Sequence, residues 1–121
     1  MKYIILGLFF VSILMGKNID KDLSKKAQAA NKMILIEATS SYCGYCVKMK
    51  KNVLQDKEVQ DFINKKYIFQ EVYVDANKLP FDLDKEFGGM TPTFFILESN
   101  GKLVKQIPGS WGKEDFLDFI K

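Results

Sequence analysis

The chain has 121 residues, 47% hydrophobic and 27% charged, which leaves room for one compact globular domain and excludes a disordered or collagen-like chain. Every basic residue is Lys: the lack of Arg argues against base-specific DNA reading, and the lack of His removes the commonest general base and the commonest metal ligand. The net charge of +3, one less without Lys2, is too mild for a polyanion binder, so no nucleic-acid partner is expected and the scattered lysines read as solvated surface.

Lys2 precedes an apolar run of about 14 residues that ends at Gly16. The run falls short of the ~20 residues that span a bilayer and has the length of a signal-peptide core. Residues 1–16 are therefore expected to be a cleaved leader, with an uncleaved inner-membrane anchor as the alternative. Either way the rest of the chain is expected in an exported, periplasmic setting, touching a membrane only through that leader. No Cys follows the run, so a lipoprotein anchor is not indicated.

Residues 17–31 are polar, with Leu23, Ala27 and Ala30 on one side and Asp20 or Asp22 as a cap, which predicts an amphipathic helix. The continuous apolar run Met33-Ile34-Leu35-Ile36 suits a central strand covered on both faces. Thr39 to Tyr42 read as a polar connection. A helix is expected to start near Cys43, with Cys46, Met49 and Val53 in one arc and Cys43 at its edge. Val59, Phe62 and Ile63 mark another helix, Tyr67 to Val74 a strand, and residues 82–87 a short helix ended by Gly88-Gly89. Thr93–Leu97 and Lys102–Ile107 flank Asn100-Gly101, which predicts a hairpin with a type I′ turn. Phe116, Leu117 and Ile120 give a closing amphipathic helix. The first two strands, joined by helices, should run parallel, and the last two antiparallel. The whole is a small mixed α/β sandwich over residues 32–121.

The chemistry-bearing motif is Tyr42-Cys43-Gly44-Tyr45-Cys46, placed after a strand and opening a helix. At a helix N-terminus, unpaired amides and the positive end of the dipole favour a thiolate, which is the nucleophile. Cys46 lies one turn on, within reach of a disulfide. Cys43, at the exposed tip, should attack a substrate disulfide, and Cys46, facing the core, should resolve the mixed disulfide. Gly44 adds no bulk beside the sulfur. Two cysteines without His do not close a zinc site, and Val47 after Cys46 excludes haem attachment. The small loop leaves an inert structural disulfide little to stabilise. No metal and no separate cofactor are expected beyond a redox-active Cys43–Cys46 disulfide.

Glu37 interrupts the apolar strand before Cys43. Desolvation there would raise its pKa and make it a proton acceptor for Cys46, unless it reaches solvent at the strand end. Pro92, in Met90-Thr91-Pro92-Thr93, begins a strand where a missing N–H is tolerated. A cis bond before Pro92 would mark a specialised loop in which Thr91 offers backbone groups to an extended substrate, while the residues alone favour an ordinary turn proline. Tyr42, Tyr45 and Trp111 form an aromatic rim or simply pack.

From about Lys32 to Lys121 this pattern resembles the thioredoxin superfamily: the apolar strand, the Cys43-Gly44-Tyr45-Cys46 motif, Asp75 ending the next strand, Thr91-Pro92, the hairpin, Gly109 and the last helix. It is similar to thioredoxin-like periplasmic proteins and to the C-terminal domain of the membrane thiol reductant transporter. The resemblance implies an α/β thioredoxin-like fold with about four strands in a mixed sheet and helices on both faces. It also implies a cis bond before Pro92, a buried acid at Glu37 and Cys43 as nucleophile. Tyr42 stands where the family usually has Trp, Gly44-Tyr45 replaces Gly-Pro, and Glu71 takes the place of a Lys that often partners the buried acid. Cys-Gly-Tyr-Cys also resembles the bacterial disulfide isomerase motif, although the chain has no room for that family's dimerisation domain. The expected protein is a monomeric thiol–disulfide oxidoreductase, a reductase of exported proteins served by a redox partner protein. An isomerase or oxidase, and a non-enzymatic thioredoxin-like binding module, are the alternatives.

Overall fold

The computed structural model describes residues 19–121, so the expected leader and the first two residues of the expected N-terminal helix lie outside the described residues. Helix α1 (Ile19–Ala30) precedes strand β1 (Met33–Thr39), and α2 (Gly44–Met49) runs on into a π-helical turn (Lys50–Leu54). Helix α3 (Lys57–Lys66) leads to β2 (Tyr67–Tyr73), and a 3-10 turn (Leu83–Lys85) precedes β3 (Thr93–Leu97), β4 (Leu103–Pro108) and α4 (Lys113–Ile120). The strands order β2-β1-β3-β4. Strand β1 pairs parallel with β2 and antiparallel with β3, and β4 pairs antiparallel with β3. The four-stranded mixed sheet is the one expected.

β1 is the centre of the molecule because both faces of it are covered. Alternate side chains of a strand point to opposite faces. Leu35 joins Phe94, Ile96 and Ile107 against Met49, Val53, Val59, Ile63 and the α4 residues Phe116, Leu117 and Ile120. Ile34, Ile36 and Ala38 join Val72, Phe95 and Leu97 against Leu23 and Ala27 of α1 and Leu79 and Leu83. The Leu23–Ala27 stripe thus makes α1 part of the core, and helices cover both faces.

Four local expectations are corrected. Thr39 is the last residue of β1 rather than part of the connection, since the ladder continues through Glu37, Ala38 and Thr39 to β2. The expected helix over 82–87 contracts to one 3-10 turn, which follows two left-handed residues, Phe81 and Asp82. The hairpin is present, but Asn100 does not take positive φ; Gly101 alone does, at 96°. Glu98 accepts from Gly101 N and donates to Lys102 O, both at 2.8 Å, which makes a three-residue loop with glycine in the left-handed position instead of a type I′ turn. Finally, the helix after Cys46 widens at Lys50–Leu54. The wider turn carries Val53 and Leu54, both buried against the core.

Phe94 is fully buried on the helix-α2 side, 4.8 Å from the Phe116 ring centroid. Phe94→Ala should remove about 3–5 kcal/mol of stability, seen as a lower urea midpoint at unchanged slope.

Candidate active site

The loop that presents the first sulfur is fixed from both sides. Val74 N donates to Thr39 O at 2.9 Å and Ser41 N donates to Asp75 Oδ1 at 3.2 Å, tying the end of β1 to the end of β2. The bonds from Ser41 hold the Asp75 carboxyl below the usual carboxylate range. From this anchor the chain reaches Cys43, whose extended backbone (φ −132°, ψ 106°) makes it the N-cap of α2.

Caps are usually oxygen-bearing side chains that accept from the first-turn amides. Here a sulfur takes that position: Cys46 N donates to Cys43 Sγ at 3.1 Å. Cys43 and Cys46 are joined in a disulfide with a Cα separation of 5.2 Å. Cys43 is half-buried and Cys46 is 4% exposed, so a partner reaches the first sulfur and not the second. The space where a Gly44 Cβ would stand is open, so glycine there leaves the approach to the sulfur unobstructed.

The loop before β3 completes the site. Thr91–Pro92 is a cis peptide bond, and Thr91 O lies 3.4 Å from Cys43 Sγ. Pro92 is buried and its carbonyl accepts from Gly109 N at 2.8 Å. Tyr42 and Tyr45 are exposed beside the sulfur. Trp111 combines packing and display: its Nε1 donates to Pro108 O at 2.9 Å and its ring meets Phe119 edge-on at 4.9 Å, yet it stays partly exposed. Tyr45 and Trp111 share a cavity of about 270 Å³ with Lys48, Met49, Asn52 and Ser110. Sequence reasoning passed over exposed Met90, whose sulfur converges with the Trp111 indole over Gly109. Its one signal is adjacency to Thr91-Pro92.

Glu37 does not reach solvent. It is 1% exposed, on the α2 side of the sheet, and its Oε1 has no hydrogen-bond partner. Desolvation pushes its pKa up to about 8; the charge of Glu71 and a hydrogen bond with it add to the rise, and Lys50 opposes it. Sequence reasoning also missed Lys50, which lies 3.6 Å from Glu71 Oε2. Its signal in the sequence is the i+4 spacing from Cys46, which makes the two neighbours on the helix surface. Among the described residues no cluster of three or more His, Cys, Asp or Glu could hold a metal ion, and no helix is long and apolar enough to cross a membrane.

The profile of the family described as "Thioredoxin-like domain" matches residues 20–121. The chain belongs to this thioredoxin-like family. A thioredoxin from Thermus thermophilus, solved in solution, superposes with a TM-score of 0.71 at 25% identity, over 83% of this chain and 79% of that one. The oxidised C-terminal domain of Neisseria meningitidis DsbD gives 0.63 at 16% identity, over 86% and 91% of the two chains. A structure described as DsbH oxidoreductase gives 0.67 at 19% identity, over 82% and 76%. The last two likenesses speak to the fold alone. No curated protein matches the sequence. A thioredoxin-like domain with a closed Cys-x-x-Cys pair at the mouth of α2 is a thiol–disulfide oxidoreductase site.

The raised Glu37 pKa has a sign for stability. Between the ordinary glutamate value of 4.5 and about 8 the folded state binds a proton that the unfolded state has released, so stability present at lower pH is lost as pH rises through that window. Urea unfolding of the oxidised protein across the window should show this loss, on the order of a few kcal/mol, and Glu37→Gln should flatten it.

Proposed function

We propose that this protein reduces disulfides of exported proteins in the periplasm. The observation that carries the reading is the asymmetry of the pair: Cys43 Sγ is accessible and accepts a backbone amide, while Cys46 is buried behind it. The amide and the helix N-terminus favour the Cys43 thiolate in the reduced protein. That thiolate attacks a substrate disulfide, forms a mixed disulfide and releases one substrate sulfur. Cys46 then gives its proton to Glu37 and attacks Cys43 Sγ. The electron pair of the breaking bond leaves with the second substrate sulfur, so the substrate is reduced and the Cys43–Cys46 disulfide closes. A redox partner protein reopens it.

The substrate is an extended protein segment. Thr91 presents backbone groups beside Cys43 at the open start of β3, where a strand-like partner can pair. Tyr42, Gly44, Tyr45 and Pro92 shape the surface around that contact, and the exposed rings supply apolar area that tolerates varied side chains. Residues 1–16 act as the export leader, or as the anchor if uncleaved, and the domain works as a monomer.

The Gly44-Tyr45 dipeptide between the cysteines keeps an isomerase or oxidase as the second reading, because the intervening residues help set the potential and ~30 mV is about 1.4 kcal/mol for this couple. Turbidimetric insulin reduction with dithiothreitol should be accelerated by the wild type and not by Cys43→Ser, and Cys46→Ala should retain partners as mixed disulfides. Equal rates for wild type and Cys43→Ser exclude the enzyme, and a glutathione equilibrium near that of strong oxidants excludes the reductase direction. Absence of any trapped partner favours a binding module.

A further inference from the structure

Glu71 is a charged residue that the scheme above does not use, and its placement is unusual. It pairs with Glu37 in the parallel ladder of β1 and β2, so the two carboxyls leave neighbouring strands at the same level and on the same face. Like charges placed opposite each other in a sheet repel. The chain answers with a cation from a third element, Lys50 of the π-helical turn, 3.6 Å from Glu71 Oε2. The charged groups facing Glu37 are thus Glu71 from β2 and Lys50 from the π turn, while β3 contributes Phe94, which carries no charge.

The two carboxyls differ in access. Glu37 is sealed, with one oxygen unpartnered, whereas the Glu71 side chain is 26% exposed. A cavity of about 90 Å³ is lined by Cys46, Val47, Lys50, Glu71, Tyr73 and the Thr39–Ser41 segment. Its volume suits about three waters, at roughly 30 Å³ each. Cys46 and Glu71 therefore line one opening, and Glu37, the ladder partner of Glu71, is next to it in the sheet without lining it.

We propose that Glu71, clamped by Lys50, is the outer half of a two-carboxyl proton station that carries the Cys46 proton from Glu37 to solvent. The inference rests on the oxidoreductase reading. Cys46 S–H breaks and its proton moves to Glu37; the sulfur electron pair forms the bond to Cys43; the Cys43–substrate bond breaks, its electron pair leaving on the substrate sulfur, which is protonated by water. The proton on Glu37 passes to Glu71 and then to water in the cavity, and the pair returns to its starting charge. Glu71 touches neither substrate nor the reacting sulfurs in this scheme; it is a positioning residue that acts through Glu37.

The test uses reduced protein and 5,5′-dithiobis(2-nitrobenzoate), which releases one coloured thiolate when Cys43 attacks and a second when Cys46 resolves. In Glu71→Gln the pH midpoint of the second phase should move down by about a unit, since a like charge beside Glu37 is gone. In Lys50→Met it should move up, and Glu71→Asp should restore the wild-type profile. The first phase should not move in any of them. In a Glu37→Gln background, Glu71→Gln should leave the remaining pH dependence of the second phase in place, which is the signature of action through Glu37. An unmoved second phase in Glu71→Gln, or an equal shift with Gln at position 37, overturns the proton station and leaves the oxidoreductase intact. Release of only one coloured thiolate per protein by the wild type overturns both. Opposite shifts in Glu71→Gln and Lys50→Met do not arise from a general loss of structure.

Discussion

The backbone amide of Cys46 points at the sulfur of Cys43, and the rest of the site is arranged around that contact. A sulfur in the cap position inherits the unpaired donors of the first helical turn and the positive end of the helix, both of which favour negative charge. The contact exists only if β1 stops at the right place and α2 starts at once. The sheet sets the first condition through the Val74–Thr39 and Ser41–Asp75 bonds, and the extended backbone of Cys43 sets the second. Burial of Met49 and Val53 then locks the helix in rotation, so Cys46 faces inward and Cys43 outward.

The elements that carry the disulfide bring together two unlike environments. In front lies a partly exposed rim of Tyr42, Tyr45, Met90 and Trp111, with a carbonyl of the Thr91–Pro92 loop against the reactive sulfur. Within the sheet, on the face that α2 covers, lies the Glu37 carboxyl, buried with an oxygen unpartnered. Burial of such a group costs stability unless it stays protonated. The raised Glu37 pKa is that compromise: burial keeps the acid at the core of β1 mostly neutral at neutral pH, with its titration range just above. A leucine at that position would pack as well and would take no proton.

Much of this was legible in the sequence because the signals were redundant. The apolar run at Met33–Ile36, the turn-and-helix context of Cys43, the spacing of Val59 and Ile63 and the hairpin around Gly101 each pointed to the element found. What was missed has identifiable causes. Glu37 masked the end of β1, since a carboxyl reads as a strand boundary although its backbone stays in the ladder. The π-helical turn at Lys50–Leu54 was missed because the apolar spacing of Met49 and Val53 fits a regular helix equally well. The partnership of Lys50 with Glu71 joins two elements by tertiary folding, and no local spacing encodes it. Asn100-Gly101 predicts a pair of left-handed residues, but a three-residue loop asks that conformation of glycine alone.

The alkylation rate of Cys43 by iodoacetamide, measured against pH on the fully reduced protein, probes the amide–sulfur contact itself. The account predicts a midpoint below the ~8.5 of a free cysteine, with Cys46 unmodified while Cys43 reacts. A midpoint at or above that of a free cysteine, or modification of Cys46 first, would contradict it.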